Sequence, residues 1–401
     1  MMVRAEEQTV AGIASWYFGL VDKFPDVFSE KELYKYWSFT TGWGDSCIDL
    51  NKEVMVSNLR AGALKLLRAK VSKCKACPLH VHRLPGRPVL DDGSYTNDPF
   101  VTYDDVRYPI GATTAKIMMI AEGPGQFEQR TSTPFVSYQV LAGSLCAYEC
   151  ESYEKCYNSK SQLPQQPCKP VRLRKILPPD TMEQSLIQIR TTRATASPFP
   201  IMTVAGILDK TLSKAGLWRE SWNGRQVLRD VKEHKARPGS IYLSNMVKCR
   251  SCKPRENGNG WEDETPSKEN MDTCTPWLEM QIYIIQPQVI IAMGNPAIAG
   301  TTGISDPKVL SMRGNVYPGK FGLPVLCEVH PSYISRQSPK DQEGHIEHFI
   351  ASLETAKKIV SGDYVLPWMN NSGTTNITET EFPSPSDMSF TDTFGGEDGF
   401  S

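Results

Sequence analysis

Residues 116–125 read KIMMIAEGPG, a short apolar run followed by a turn of glycine and proline. The run is shorter than a typical helix and is bounded by polar and turn-forming residues, which favours a buried β-strand. Three similar runs occupy residues 240–245, 288–293 and 324–330. We therefore expect four buried strands, each followed directly by residues that can carry chemistry.

Apolar residues at helical spacing lie between and after these strands. One pattern runs from Val204 to Ala215, a second from Met271 to Ile285 and a third from Ile346 to Val360. Strands that alternate with helices imply crossover connections and a parallel sheet covered on both faces. In such an α/β fold, ligands bind at the carboxyl ends of the strands.

Three segments do not follow this alternation. Residues 1–70 contain several aromatic residues and a helical stretch, which predicts an N-terminal helical extension. Residues 138–200 form an insertion that contains cysteines and prolines within a main domain at residues 71–365. Residues 366–401 are rich in Ser, Thr, Gly and acids, a composition typical of a disordered tail.

Length and composition exclude several classes of protein. The chain has 401 residues, of which 40% are hydrophobic and 22% charged, so collagen-like, fully disordered and coiled-coil proteins are excluded. No apolar run approaches the ~18 residues of a membrane span, and the first residues do not have the pattern of an export signal. The eleven cysteines are too few for a disulfide scaffold and odd in number, which favours a reducing, cytoplasmic location.

The net charge of -1 conceals a separation of charge along the chain. Residues 370–401 contain six acids and no Lys or Arg, so the rest of the chain carries a net charge of +5. A mildly basic body permits a polyanionic partner. Acids in the tail alternate with Phe390, Phe394 and Phe400, a pattern that suits docking onto a replication or repair protein, although it is equally typical of a solubilising tail.

Candidate functional residues follow the first strand. Gly123 permits close approach of the backbone to a ligand, and Phe135 offers a flat surface for stacking on a ring. An ordinary turn between a strand and a helix explains the same residues. The basic cluster after the second strand, which includes Arg250 and Arg255, suits phosphates or solvent.

Two further candidates end the second and fourth strands. Asn245 can present a donor and an acceptor to the edge of a base, or it can cap a turn. His330 is a structural histidine or a catalytic group, and its expected place at the same edge as Asn245 favours the second interpretation.

Cysteine spacing indicates a metal site. Cys74 and Cys77 form a Cys-x-x-Cys pair, and Cys249 and Cys274 flank the segment between the second strand and the next helix. Two such pairs can close a four-thiolate site for zinc or an iron–sulfur cluster. Buried core thiols are the alternative for Cys249 and Cys274.

Eight motifs occur in order along the chain: CKACPL, AEGPG, TPFVS, NMVKCR, TPSKENMDTC, QPQVIIAMG, SMRG and HPSYISR. Their order resembles the family 4 uracil-DNA glycosylases, the iron–sulfur branch of the uracil-DNA glycosylase superfamily, and the match spans about residues 74–360. The resemblance implies a three-layer α/β/α sandwich with a four-stranded parallel sheet. It also implies hydrolysis of the N-glycosidic bond of flipped-out uracil in DNA, the first step of base-excision repair.

The resemblance also assigns residues. It implies that Cys74, Cys77, Cys249 and Cys274 ligate a structural 4Fe-4S cluster. Uracil would contact Gly123, Phe135 and Asn245, and His330 would donate a hydrogen bond to uracil O2, with Glu122 and Glu128 as candidates for positioning water. The expected phosphate contacts are Arg250, Arg255, Arg313 and Arg336.

Departures from the family pattern leave alternatives open. The insertion at 138–200 holds Cys146, Cys150, Cys156 and Cys168, which are ligands of a second zinc or iron–sulfur site or are plain thiols. Cys252 lies in an enlarged loop and is an alternative to Cys249 as third ligand. A glycosylase-fold DNA-binding protein that is inactive or has altered base specificity, and that serves a DNA replication or processing assembly, is the alternative function.

Overall fold

The computed structural model describes residues 4–5, 8–41, 52–82, 89–90, 100–103, 106–109, 115–125, 128–129, 204–217, 241–256 and 261–368. The helices in this part of the chain are α1 (Val10–Lys23), α2 (Glu30–Thr41), α3 (Lys52–Val71), α4 (Val204–Lys214), α5 (Lys268–Ile285), α6 (Asn295–Thr302), α7 (Val309–Met312), α8 (Pro331–Ser335) and α9 (Pro339–Ser361), with a 3-10 helix at Pro78–His82. The strands are β1 (Phe100–Tyr103), β2 (Val106–Pro109), β3 (Ile117–Ala121), β4 (Ile241–Asn245), β5 (Cys252–Pro254), β6 (Trp261–Asp263), β7 (Val289–Met293), β8 (Val316–Pro318) and β9 (Pro324–Glu328).

A central sheet with the strand order β4-β3-β7-β9-β8 organises the fold. The four strands expected from the sequence are β4, β3, β7 and β9, and they are parallel to one another. The sheet has five strands and not the predicted four, because β8 pairs antiparallel with the edge of β9. Strand β8 is only three residues long and ends in a proline, so it carries no periodic signal in the sequence.

Helices cover both faces of this sheet, as predicted. Side chains of alternate residues in β3 pack into two hydrophobic cores on opposite faces of the sheet. Met118 and Ile120 belong to the first core, and Ile117 and Met119 belong to the second. The first core also contains residues of α1, α3, α5 and α6, and the second contains residues of α4, α8 and α9. The molecule is therefore a three-layer α/β/α sandwich.

The N-terminal helices share the first core with the sheet. The indole Nε1 of Trp16 in α1 donates to the carbonyl of Tyr283 at 3.3 Å, and the buried guanidinium of Arg60 in α3 donates to the carbonyl of Ile284 at 2.9 Å. Both carbonyls lie in the last turn of α5, where intrahelical partners end. Helices α1 and α3 thus pack directly on the helix that follows the β5–β6 hairpin.

The longest helix, α9, has clear signals at both ends. Ser338 caps its N-terminus by accepting a hydrogen bond from the backbone of Asp341, and Pro339 fills the first helical position. Gly362 ends it in the left-handed conformation, with φ of 84°. These signals determine where the helix begins and where it ends.

None of the helices in the described part of the chain is long and apolar enough to cross a membrane. The insertion at 138–200 and nearly all of the predicted tail at 366–401 lie outside the described residues. The division into segments 1–70, 71–365 and 366–401 therefore stays a prediction.

Candidate active site

The register of the sheet brings the carboxyl ends of its strands to one edge. Ala121 of β3 lies beside Asn245 of β4, and Met293 of β7 lies beside Glu328 of β9. Glu122 and Gly123 follow the first of these strands, and His330 follows the last by two residues. The structure therefore places the predicted site residues from three strands along a single edge.

Asn245 is the most unusual polar residue at this edge. Its side chain is buried, with 1% of the residue exposed, and both Oδ1 and Nδ2 have no hydrogen-bond partner among the described residues. A buried carboxamide without partners is costly, since each unmade hydrogen bond forfeits the solvation that water supplied. Its backbone is held in place, because the ammonium of Lys248 donates to the Asn245 carbonyl at 2.5 Å. The buried carboxamide therefore has no hydrogen-bond partner among the described residues, as expected of a group that binds a ligand.

His330 caps the N-terminus of α8. Its Nδ1 accepts a hydrogen bond from the backbone N–H of Ser332 at 3.1 Å and lies 2.8 Å from the Ser332 hydroxyl. A ring nitrogen that accepts a backbone N–H carries no proton, so the neutral imidazole has its proton on Nε2. Burial, with a smaller contribution from the charge of Arg336, lowers the pKa of His330 to about 4. His330 is therefore a neutral donor at neutral pH.

The turn after β3 is packed against the segment that follows β4. The backbone N–H groups of Met246 and Val247 donate to the carbonyls of Ala121 and Glu122 at 2.8 and 3.2 Å. A Cβ atom on Gly123 would lie 2.8 Å from a methyl carbon of Val247, which is closer than real contacts allow. Gly123 is thus needed for the close approach of two backbone segments beside Asn245.

Carboxylates line the same turn. Burial raises the pKa of the half-buried Glu122, Asp263 raises it further, and a hydrogen bond with the Thr265 side chain opposes the increase. Glu128 accepts a hydrogen bond from the backbone of Gly125. Both carboxyl groups predicted for water positioning therefore lie near the end of β3.

Asp263 is a residue of this site that the sequence did not reveal. Asp263 is the last residue of β6 in the β5–β6 hairpin. A Cβ atom built on Gly125 would lie 3.6 Å from the Asp263 carboxylate and 3.3 Å from the Glu128 carboxylate, so the two carboxylates lie on the same side of the turn. The only sequence signal is the acidic run 262–264 in an enlarged loop, and such runs are common on surfaces.

The four predicted phosphate contacts divide into two pairs. The side chain of Arg250 is 8% exposed and forms an ion pair with Asp263 at 2.5 Å, and that of Arg313 is 7% exposed and forms an ion pair with Glu328. Arg255 and Arg336 lie exposed on the surface. The exposed pair is available to a ligand without rearrangement of the protein.

The four cysteines predicted as cluster ligands come together. Cys74, Cys77, Cys249 and Cys274 all line one small cavity between the end of α3, the segment after β4 and α5. The backbone N–H of Lys248 donates to Sγ of Cys274 at 3.3 Å. Burial raises the pKa of the Cys274 thiol to about 12, and the nearby Cys249 and Cys74 add to the increase while Lys248 opposes it.

Cys252 is placed differently from these four. It is buried in β5, opposite Asp263, and does not line the cavity. Within the described residues, no set of three or more His, Cys, Asp or Glu side chains is arranged to hold a single metal ion. Phe135 lies outside the described residues, as do Cys146, Cys150, Cys156 and Cys168.

Comparison with known proteins gives one consistent family. Residues 108–354, more than half of the chain, match the family model described as the uracil DNA glycosylase superfamily. This match includes Glu122, Asn245 and His330, whereas Cys74 and Cys77 precede it.

Three similar curated proteins carry the same name, type-4 uracil-DNA glycosylase. The protein from Thermotoga maritima is 22% identical over 301 residues, which cover 75% of this chain and 96% of the relative. The protein from Pyrobaculum aerophilum is 34% identical over 107 residues, or 25% of this chain and 50% of the relative. The protein from Sulfurisphaera tokodaii is 27% identical over 96 residues, or 23% of this chain and 39% of the relative.

Proposed function

Because the chain belongs to the uracil DNA glycosylase superfamily, we propose that it is a uracil-DNA glycosylase, which hydrolyses the bond between uracil and deoxyribose and so initiates base-excision repair. The names of its relatives support this function. The observation that carries the proposal is the buried Asn245 carboxamide, whose donor and acceptor have no partner among the described residues.

Asn245 suits the base-pairing edge of uracil. Uracil presents a donor at N3 and an acceptor at O4, and a carboxamide offers the matching acceptor and donor. A base inside a duplex is out of reach, so it must be flipped into the site at a cost of a few kcal/mol. Hydrogen bonds to a preorganised Asn245 would offset part of that cost, and the stacking proposed for Phe135 and the close backbone at Gly123 would contribute further.

His330 suits the other side of the leaving base. When the C1′–N1 bond breaks, the electron pair moves onto uracil and negative charge develops at O2. A neutral imidazole with its proton on Nε2 can donate to that oxygen without first releasing a proton. Removal of one such donor typically costs about 2.7 to 4 kcal/mol of transition-state stabilisation.

Water completes the hydrolysis. Its oxygen forms the new bond to C1′, its proton passes to a carboxylate and uracil departs as an anion. A raised pKa makes Glu122 a better base at neutral pH, and the Gly125 N–H holds Glu128 nearby. We assign both residues to the positioning of this water.

Phosphates flanking the flipped nucleotide would contact Arg255 and Arg336, which are exposed. Arg250 and Arg313 belong to the same proposal, but each would first have to leave its acidic partner. Phosphate contacts by these cations would make DNA binding sensitive to salt.

A 4Fe-4S cluster held by Cys74, Cys77, Cys249 and Cys274 forms part of the proposal. Four thiols around one cavity fit the four-cysteine ligand set of such a cluster. When bound, the cluster would supply a structural cross-link between α5 and the segments that carry the other cysteines. A second zinc or iron–sulfur site at Cys146, Cys150, Cys156 and Cys168 also remains proposed.

Cluster thiols require a reducing compartment, so we place the protein in the cytoplasm. A replication or repair protein is proposed to dock on the acidic tail at residues 366–401, on the basis of its acids and phenylalanines. Deletion of residues 370–401 should weaken capture of such a partner and leave uracil release unchanged.

Uracil release from a labelled oligonucleotide tests the proposed role of Asn245. Asn245→Ala should reduce release about 10- to 100-fold, since it removes two hydrogen bonds to the base. The exposed Asn315 provides the matched control, and Asn315→Ala should behave as wild type. Equal rates in all three proteins would exclude Asn245 as the residue that reads the base.

A further inference from the structure

The side chain of Glu328 is fully buried two residues before His330, and Nδ1 of the exposed His348 lies 3.5 Å from its carboxylate. It accepts hydrogen bonds from Nε of Arg313, from the backbone N–H of Val329 at 2.7 Å and from the hydroxyl of Ser352 at 2.7 Å. Its own carbonyl accepts a hydrogen bond from the backbone of Gly294 at 2.9 Å. These hydrogen bonds to the side chain and the backbone carbonyl of Glu328 fix the segment that precedes His330.

Arg313 also contacts helix α9, which follows His330 in the chain. Its guanidinium lies 2.7 Å from Nδ1 of His345 and donates to the His345 carbonyl at 2.8 Å. The His345 ring packs edge-on against the Tyr333 ring, with 5.3 Å between centroids. The backbone of Tyr333 in turn donates to the His330 carbonyl at 2.8 Å.

We propose that Arg313 and Glu328 are positioning residues that hold His330 from both sides and so aim its Nε2–H at the leaving base. This inference rests on the proposed glycosylase function and deepens it. In this role Arg313 stays bound to Glu328 and His345, whereas the phosphate contact proposed for it requires it to leave Glu328.

Stability alone does not explain why the Arg313–Glu328 ion pair is buried. Two charges lose their solvation on burial, and apolar residues of similar volume are often at least as stable in such a place. A rigid link is valuable where a donor must lie within a fraction of an ångström of its target, since a misplacement of about 1 Å can cost about 100-fold in rate. The pair lies beside the one predicted catalytic donor at this edge.

Kinetics in two backgrounds test the proposal. Arg313→Lys and Glu328→Gln should lower kcat for uracil release about 10- to 100-fold while KM for the oligonucleotide stays within about twofold. In a His330→Ala background, the same substitutions should change the residual rate less than about twofold, because there is no imidazole left to aim. Equal losses in both backgrounds would overturn the proposal and leave the pair a purely structural role.

Controls separate positioning from loss of the fold. Glu354→Gln removes the charge from a half-buried ion pair with Lys357 on α9 and should leave kcat unchanged. If either buried substitution prevents folding, His345→Ala is the second variant, because His345 is half-buried. This substitution removes the ring that contacts Arg313 and Tyr333 and keeps the backbone carbonyl that accepts from Arg313. It should still lower kcat with KM unchanged.

A second readout keeps this inference separate from the glycosylase function. NMR titration of His330 does not need catalysis, and Arg313→Lys and His345→Ala should shift its midpoint upward from about 4 as the ring gains access to water. If wild type releases no uracil, the proposed function fails and this titration alone decides. An unchanged midpoint would then reject the positioning role.

Discussion

The backbone N–H of Ser332 donates to Nδ1 of His330, so the imidazole that caps helix α8 keeps its proton on Nε2. One hydrogen bond thus performs two tasks, because it satisfies a helix N–H and selects the tautomer. The chemistry proposed for His330 depends on that tautomer, since only a protonated Nε2 can donate to uracil O2.

His330 should titrate far below the usual range for histidine. NMR of protein with labelled histidines should give a midpoint near pH 4, because burial disfavours the imidazolium. Between this pH and 6.5 the unfolded chain binds more protons than the folded one, so stability should fall as pH falls through that window. A midpoint between 6 and 7 would contradict the assigned environment.

Cys249 and not Cys252 should be the third cluster ligand. Cys249→Ala should lose most of the iron and the visible absorbance of anaerobically purified protein, because this residue lines the cavity that it shares with Cys74, Cys77 and Cys274. Cys252→Ala removes a thiol of similar burial outside the cavity and should retain the iron. Iron loss in Cys252→Ala alone would reverse the assignment.

Gly123→Ala should destabilise the protein by about 1 to 3 kcal/mol, because its methyl group would lie 2.8 Å from a methyl carbon of Val247. The double variant Gly123→Ala, Val247→Ala should regain part of this loss. Thermal unfolding measures both effects. A single variant as stable as wild type would show that the two segments can separate at little cost.

Arg255 and Arg336 should contribute separately to the salt dependence of DNA binding. Each substitution by Ala should reduce the slope of log affinity against log salt by about 1, because one phosphate contact is lost. Binding to a uracil-free oligonucleotide at several salt concentrations measures the slope. Unchanged slopes for both variants would place the DNA elsewhere on the surface.

Much of the fold could be predicted from the sequence. Strands β3, β4, β7 and β9 are buried on both faces, so they appear as apolar runs, and the helices between them keep a regular apolar spacing. Strand β8 and the β5–β6 hairpin were missed because each strand has three residues and exposed positions. Strands this short leave no periodic signal in the sequence.

The site was predicted less completely. The structure brings Asn245 and His330 to one edge of the sheet and the four cysteines to one cavity, but the sequence does not show that the Asn245 side chain has no partner among the described residues or that His330 is neutral. The sequence also does not show that Arg313, a predicted phosphate contact, pairs with Glu328, which is 15 residues away in the chain. Neither periodicity nor motif order records a contact of that kind.

The central claim is tested most directly by abasic-site formation in a labelled oligonucleotide with a single uracil. Anaerobically purified protein, with iron and sulfide measured, should convert this substrate and leave the matching thymine and cytosine oligonucleotides intact. His330→Ala should be slower by about 100- to 1,000-fold, because it removes the donor to the leaving base. No conversion by wild type with its iron and sulfide intact would contradict the assignment as a uracil-DNA glycosylase.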